Sequence, residues 1–213
     1  MIRKFKNAIT KIKNAYHCYL ERKKLHNKNF CIISNNCWGG FIYQKFGLKY
    51  NTPTVGLFIH ENDFVKFCAN LEHYLSLPLE FIDPKASKNY EITSWGGTKP
   101  INFPIAKLDD IEIVFMHYKS EDEAQKKWER RKKRVNYNNL LFKMSERNDC
   151  NEQTIAAFCN LPHKNKICFT ENENAFDCCV QVEELKRLNK IGGDETTYTL
   201  EKIDIYKLLN EMK

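Results

Sequence analysis

The stretch FCIISNNCWGGFIYQKFG, residues 30–47, decides the fold class of this chain. Its first part, 30–34, is an apolar run typical of a strand that is buried on both faces of an α/β sheet. The run ends at two asparagines, and a helical pattern then extends over 38–46 and closes at Gly47. Because strand, short polar loop and helix form the repeating unit of α/β proteins, the stretch predicts that class.

The rest of the chain continues this alternation of strands and helices. Apolar runs predict strands at 54–59, 79–82, 101–105, 111–116, 140–144 and 166–169. Helical periodicity predicts helices at 64–75, 121–134, 152–158 and 203–212, with a loop at Gly192-Gly193. No internal repeat, low-complexity tract or linker interrupts the pattern. We therefore expect a single α/β domain with a mainly parallel or mixed sheet between helical layers.

Residues 1–28 form a basic segment ahead of the α/β domain, which we place at 29–213. Apolar residues recur close to the 3.6-residue period there, and lysines and arginines fill much of the remainder, which predicts an amphipathic helix over 1–26. The apolar stripe consists of Ile2, Phe5, Ile9, Ile12, Tyr16 and Tyr19. We favour a terminal helix that packs on the body. The alternative is a helix that lies on an anionic membrane surface.

Composition and charge limit the classes of function. A chain that is 42% hydrophobic and 13% aromatic is not globally disordered. No run approaches the roughly 18 apolar residues of a membrane span, and the N-terminus lacks the apolar core and cleavage site of a signal peptide. The net charge of +7 is concentrated at 1–28 and 126–134, whereas 51–63 and 171–184 are acidic. This asymmetry indicates contact with phosphate, anionic lipid or nucleic acid, or a solvated surface.

The nine cysteines indicate a reducing compartment. Their number is odd, the chain is not small, and no Cys-x-x-Cys pair occurs. Several lie inside apolar runs, where a free thiol packs as a small hydrophobic residue. We therefore expect a cytoplasmic protein, and we expect no metal site because no ligands are paired at the spacing of zinc sites.

Two predicted strands end on side chains that can carry chemistry. Strand 30–34 leads into Cys37, and strand 111–116 ends on His117. Ligands of α/β sheets bind beyond the carboxyl ends of the strands, and a helix N-terminus lowers the pKa of a thiol. Cys37 is therefore the candidate nucleophile and His117 the candidate base. The alternatives are a packed thiol and a histidine that is hydrogen-bonded for structure. Asp110, Glu112 and Glu121 all remain open as the acid that orients the imidazole.

The residues around Cys37 are candidates for binding the substrate. The side chains of Asn35 and Asn36 and the backbone amides of Trp38, Gly39 and Gly40 are placed to bind an oxyanion. The two glycines would also let a substrate approach the backbone closely.

A second candidate binding element is the basic helix, with seven bases between residues 126 and 134. Arg130, Arg131 and Arg134 lie within about one turn and are candidates for clamping the pyrophosphate of a nucleotide-sugar, coenzyme A or a polyprenyl-linked glycan. The alternative is a solvated helix face. Nucleic acid is not expected, because no recognised binding module occurs and the bases are not interleaved with exposed aromatics.

Three segments carry a resemblance to a known family: 33–43 with 47–54, 63–67, and 117–121 with 127–131 and 134–136. The first contains Ser-Asn-Asn-Cys-Trp-Gly-Gly at 34–40, and the third contains His-Tyr-Lys-Ser at 117–120. On these motifs the chain resembles a bacterial family of unknown function found among proteins assigned to exopolysaccharide and capsule biosynthesis. The resemblance covers 29–170 and implies a setting, surface-polysaccharide assembly, without supplying a reaction.

The order of Cys37 before His117 also resembles that of a neighbouring group described as papain-like, and more distantly that of capsule acetyltransferases. Our leading expectation is a transferase for a surface polysaccharide or a polyprenyl-phosphate-linked glycan, moving an acyl group from a donor such as acyl-CoA. It would work in the cytoplasm, with peripheral contact of 1–26 to the inner face of the membrane. The alternatives are a non-catalytic protein that binds glycan or lipid phosphate, and a glycosyltransferase-like enzyme, although no Asp-x-Asp occurs.

Overall fold

The computed structural model describes residues 2–148, 150–188 and 194–212. Within them the strands are β1 (Cys31–Ser34), β2 (Glu80–Ile82), β3 (Ile105–Leu108), β4 (Ile111–Val114), β5 (Leu140–Ser145), β6 (Lys166–Thr170) and β7 (Cys179–Gln181). The helices are α1 (Ile2–Lys23), α2 (Trp38–Lys45), α3 (Glu61–Ala69), α4 (Leu71–Ser76), α5 (Tyr90–Thr93), α6 (Glu121–Lys132), α7 (Glu152–Cys159), α8 (Leu185–Leu188), α9 (Thr196–Lys202) and α10 (Ile205–Asn210), with a 3₁₀ turn at Pro84–Ala86.

A parallel sheet with strand order β1-β5-β6-β7 forms the centre of the protein. Its register aligns Ile33 with Phe142, Met144 with Cys168, and Cys168 with Cys179. The strands β2, β3 and β4 form a separate antiparallel sheet. These elements confirm the predicted α/β class and single domain.

The parallel sheet is covered on both faces, which explains why its strands are nearly continuous apolar runs. One face packs against α2 and α10 through buried residues such as Ile32, Leu141 and Phe169. The opposite face, which includes Ile33 and Phe142, shares a core with α3, α7, α6 and the antiparallel sheet. Side chains alternate between the faces along each strand, so neighbouring residues of β5 belong to different cores.

Several predicted elements differ from the observed ones. The predicted strand 54–59 forms only one isolated bridge, between Phe58 and Val114, because Gly56 takes a positive φ of 73° and breaks the extended run. The predicted strand 101–105 begins at Ile105 instead, since Pro104 has no backbone N–H to donate to a ladder.

Other differences concern the helices and the tail. The predicted helix 64–75 is divided into α3 and α4 at Asn70. The predicted final helix 203–212 corresponds to the shorter α10, and a further helix that was not predicted, α9, precedes it. Strand β7 was not predicted, and the expected Gly192-Gly193 loop lies outside the described residues.

The N-terminal helix α1 turns its apolar stripe to solvent. Ile12 is 69% exposed and Tyr16 is 62% exposed, and Ile9, Tyr19 and Leu20 are exposed too. The prediction that this stripe packs on the body is therefore wrong for residues 9–20; the side chains of Ile2 and Phe5 lie outside the described part. None of the described helices combines the length and the apolar character that crossing a bilayer requires.

The last turns of α1 contact the body. The Cys18 thiol donates to the Gln44 carbonyl at 3.3 Å, and Arg22 donates to the Gly47 carbonyl at 3.0 Å. Glu21 pairs with Lys45 at 2.8 Å. Gly47 has a φ of 58°, and a Cβ there would approach the Cys18 Cβ to 3.0 Å, so glycine is required both for the end of α2 and for this docking.

Candidate functional site

A cleft with two lobes lies where the parallel strands end, as the α/β rule predicts. The inner lobe has a volume of about 150 Å³ and the outer lobe about 310 Å³. The inner lobe is lined by Asn36, Cys37, Trp38, Phe41, Phe58, Met116, His117, Arg147, Asp194, Glu195 and Thr196. The outer lobe is lined by Cys37, Gly40, Phe41, Gln44, Tyr50, Val55, Gly56, His117, Tyr118, Lys127 and Arg131. Cys37, Phe41 and His117 are common to both.

Gly56 joins the two residues that sequence predicted as a catalytic pair. The backbone N–H of His117 donates to the Gly56 carbonyl at 3.0 Å, and the Gly56 backbone lies close enough to the Cys37 thiol to lower its pKa in part. A Cβ on Gly56 would lie 3.3 Å from the His117 Cβ and 3.3 Å from the Tyr118 ring, with the φ of 73° adding strain. Within the described residues, no direct hydrogen bond joins the Cys37 thiol to the His117 ring. Cys37 and His117 therefore share a cleft wall through Gly56.

The surroundings of the Cys37 thiol favour its protonated form at neutral pH. Burial raises the pKa of Cys37 to about 11, although the cation of Lys143 and the Gly56 backbone both lower it in part. The expected depression of this thiol pKa by the helix N-terminus is therefore wrong. Because so little thiolate exists at neutral pH, nucleophilic use of Cys37 requires a base at the moment of attack.

Asn35 has a structural role at the sheet edge and lines neither lobe. It is fully buried, its amide donates to Glu61 and to the Ser145 carbonyl, both at 3.2 Å, and its carbonyl oxygen accepts from the Ser145 N–H at 3.1 Å. It thus ties the ends of β1 and β5 together. Burial raises the pKa of its partner Glu61 to about 8.

The other predicted oxyanion donors are largely engaged within the protein. Asn36 lines the inner lobe, but its carbonyl oxygen accepts from the Trp38 N–H at 3.1 Å and its amide donates to Glu195 at 3.0 Å. The Gly39 N–H donates to the Ser34 hydroxyl at 3.3 Å. This contradicts the assignment of the Trp38 and Gly39 amides as oxyanion donors.

The two glycines of the motif serve different purposes. A Cβ on Gly39 would lie 2.9 Å from the Ser34 Oγ and 3.0 Å from an Ile32 methyl carbon, so glycine lets α2 pack closely on β1. Gly40 lies at the outer lobe, and a Cβ there would make a tight contact of 3.3 Å with a Val55 methyl carbon. Only Gly40 therefore allows the close ligand approach predicted for both.

A buried ionic cluster forms the floor of the inner lobe. Lys143 is fully buried between the rings of Trp38 and Phe169 and donates to Glu195. Glu195 also accepts from the Ser145 hydroxyl at 2.6 Å and from Arg147 at 3.1 Å. Burial opposes ionisation of Glu195, but these partners outweigh it and hold the pKa of Glu195 below its usual value.

The three arginines of α6 do not form one clamp. Arg131 is buried at the outer lobe, donates to the Val55 carbonyl at 3.2 Å and to the Tyr118 hydroxyl at 2.5 Å, and lies over the Tyr50 ring. Arg134 donates to the Tyr50 carbonyl at 3.0 Å, and Arg130 is exposed. Only Arg131 lines the cleft, which contradicts the predicted pyrophosphate clamp of three arginines.

None of the acids considered as orienting partners bonds to the His117 ring in the described structure. Asp110 pairs with Lys66 at 2.5 Å and accepts from Tyr74 at 2.7 Å. Glu112 is buried and accepts from Ser87 at 2.6 Å. Glu121 is exposed in the first turn of α6.

Sequence reasoning missed Gly56 and the ionic cluster. Lys143 offered a signal, because a lysine inside the apolar run 140–144 needs a buried partner. Its partner Glu195 lies 52 residues later, at the start of α9. Nothing in the spacing of the sequence connects the two.

The comparisons with known proteins place this architecture in a family. Residues 7–213 match the model of a family described as a domain of unknown function, DUF1919. The chain belongs to this family. A relative described as an uncharacterized protein of Haemophilus influenzae is 33% identical over 190 residues, which covers 89% of this chain and 85% of the relative. The match extends over the strands, the cleft and most of α1, so family membership concerns the whole architecture described above.

Proposed function

We propose that this protein is a group-transfer enzyme in which Cys37 is the nucleophile and His117 the general base. The observation that carries the proposal is that Cys37 and His117 line both lobes of the cleft. A donor in one lobe and an acceptor in the other would each meet the same thiol and imidazole. Such an arrangement suits two successive transfers through one covalent intermediate.

Acyl transfer fits these groups. His117 takes the proton of the Cys37 thiol while the sulfur attacks the acyl carbonyl, and the leaving group of the donor departs with that proton. The acyl group then rests on Cys37 as a thioester. An acceptor hydroxyl attacks the thioester and gives its proton to His117, which returns it to the departing Cys37 sulfur. Because the pKa of Cys37 is raised, this order depends on His117 to take the thiol proton.

The outer lobe is suited to an anionic ligand. Its charged lining residues are Lys127 and Arg131, both cationic, and the Arg131 Nε is buried without a partner among the described residues. Tyr50 and Tyr118 add aromatic surface. A phosphate-bearing carrier, such as coenzyme A or a polyprenyl-phosphate-linked glycan, matches this lining. The resemblance of the 34–40 and 117–120 motifs supports a surface-polysaccharide precursor as the acceptor.

The exposed stripe of α1 supports work at a membrane surface in the cytoplasm. Its apolar residues Ile9, Ile12 and Tyr16 are accompanied by Lys11 and Lys13 on an otherwise solvated helix. Anionic lipid would cover the stripe and pair with the lysines. Cosedimentation of the full chain with phosphatidylglycerol vesicles should fall for Ile12→Glu and stay unchanged for Tyr198→Glu, which adds the same charge at an exposed side chain outside α1. Equal sedimentation of both variants would contradict membrane contact.

Non-covalent binding of a phosphorylated glycan is the second candidate, favoured by the same raised pKa of Cys37. The two candidates separate in one experiment. Incubation with acetyl-coenzyme A or p-nitrophenyl acetate, followed by mass spectrometry, should find one acetyl group on Cys37. Cys37→Ala should lose it, and Cys18→Ser, which changes a half-buried thiol outside the cleft, should keep it. Absence of an acyl group on Cys37, or equal labelling of other thiols, would leave the binding function.

A further inference from the structure

A second concentration of reactive groups lies away from the cleft, where three cysteine sulfurs converge. Cys159 ends α7, Cys178 precedes β7, and Cys179 begins it. The Cys178 thiol donates to the Cys159 sulfur at 2.9 Å, and the Cys159 and Cys179 sulfurs are 3.5 Å apart. All three sulfurs lie within 4.8 Å of one another. We call this group the thiol cluster.

The thiol cluster is not ordinary core packing. Cys178 and Cys179 are only half-buried, and a cavity of about 430 Å³ opens onto Cys159 and Cys178. A thiol that served only as a small hydrophobic residue would be enclosed by apolar neighbours. Here the cavity also carries His163, Lys164 and Lys166. The cluster is therefore accessible from solvent.

A fourth cysteine adjoins the thiol cluster. Cys168 pairs in register with Cys179 across β6 and β7, and its thiol interacts with those of Cys159 and Cys179. Because the two residues are register partners on adjacent strands, their side chains leave the sheet on the same face. Lys166 lines the same cavity as Cys159 and Cys178 and places a cation beside the thiol cluster.

We propose that Cys159, Cys178 and Cys179, with Cys168 as the fourth ligand, bind a zinc ion. Thiolates select soft or borderline metals, and a disulfide would use two sulfurs and leave the convergence of the others unexplained. A tetrahedral ion with bonds of about 2.3 Å holds its sulfurs roughly 3.8 Å apart, and the sulfurs of Cys159, Cys178 and Cys179 already lie within 4.8 Å of one another. Binding releases the thiol protons, and the lysines of the cavity offset the remaining negative charge.

The metal site would stabilise the β7 edge of the parallel sheet, which is otherwise weakly held. Strand β7 has three residues and pairs only with β6 among the described strands. A metal would join β7 directly to the end of α7 and to β6. This reverses the expectation of no metal, which rested on sequence spacing. The ligands come from three separate elements, so no Cys-x-x-Cys pattern marks them.

The test is a titration of Zn²⁺ and Co²⁺ into the reduced, metal-free full chain. We expect one equivalent of Co²⁺ to bind, with a sulfur-to-cobalt charge-transfer band and tetrahedral d–d bands that Zn²⁺ abolishes. Loss of a supporting outer-sphere partner weakens metal binding by roughly 10- to 100-fold. Because Cys178 and Cys179 are direct ligands, Cys178→Ser and Cys179→Ser should each weaken Co²⁺ binding by more than that. Cys18→Ser should bind as tightly as the wild type.

The wild-type titration decides the proposal even if a variant does not fold. Absence of stoichiometric Co²⁺ binding, or a spectrum without a thiolate band, would overturn it, whether or not a Cys159–Cys178 disulfide then forms in air. Unchanged affinity in both folded cysteine variants would also overturn it, because the bound metal would then lie elsewhere.

Discussion

The two faces of the parallel sheet bury reactive groups of opposite kinds. On the face toward α2, Lys143 and Glu195 form an ion pair that Ser145 and Arg147 complete, and all four side chains are buried. On the face toward α7, Cys168 adjoins thiols that are half-exposed. Charged groups that are removed from water need partners within the protein, and the side chains of the ionic cluster are these partners for one another. Thiols tolerate incomplete hydrogen bonding, so the sulfurs of the thiol cluster remain available to bind an external ligand.

The largest expected effect comes from breaking the ionic cluster. Glu195→Gln leaves Lys143 and Arg147 without a buried counter-charge, and we expect a loss of about 3–5 kcal/mol in the free energy of unfolding. Glu201→Gln, at an exposed position on the same helix, should change it by less than about 0.5 kcal/mol. Urea denaturation measures both. If Glu195→Gln lowers the free energy of unfolding no more than Glu201→Gln does, the side chains of the cluster do not depend on one another for charge pairing.

The pH dependence of stability tests another buried ionisable group, the carboxyl of Glu61 on α3. Burial raises the pKa of Glu61 from 4.5 to about 8 and lowers the pKa of the adjacent His60 from 6.5 to about 4. Between pH 4.5 and 6.5 the two effects oppose each other. Above pH 6.5 only Glu61 acts: the folded state keeps a proton that the unfolded chain has released, so stability falls as pH rises.

From pH 6.5 to pH 8 the free energy of unfolding should therefore decrease by on the order of 2 kcal/mol in the wild type. Glu61→Gln removes the titrating proton and should flatten this interval. Urea denaturation at a series of pH values measures both proteins. A slope that is the same with and without the Glu61 carboxyl would contradict the assignment.

The smallest expected effect is on the thiol face. In metal-free protein, Cys178→Ser replaces a half-exposed sulfur and should change the free energy of unfolding by no more than about 0.5 kcal/mol. With zinc present, the wild type alone should gain stability, since an ion that binds the folded state shifts the unfolding equilibrium. A large loss of stability in metal-free Cys178→Ser would show that the thiol cluster stabilises the fold even without a bound metal.

Sequence patterns predicted the positions of strands and helices better than they predicted which surfaces and side chains contact one another. The run 30–34 and the helix that begins at Trp38 were identified because burial on both faces and helical periodicity leave local signatures. Local signatures do not say which surface a stripe contacts, which is why α1 was expected to pack on the body. The partners Lys143 and Glu195, and the sulfurs of Cys159 and Cys178, meet only through tertiary folding. The position of the cleft followed from the strand ends, whereas its two lobes did not.

The measurement that tests the central claim most directly is the rate of Cys37 acylation by p-nitrophenyl acetate as a function of pH, in wild type and His117→Ala. With a thiol pKa of about 11, the account predicts that removal of the base slows acylation at neutral pH by about 10²- to 10⁴-fold. The two rates should converge toward pH 11, where the thiolate forms unaided. Equal rates at neutral pH would contradict the pairing of Cys37 with His117.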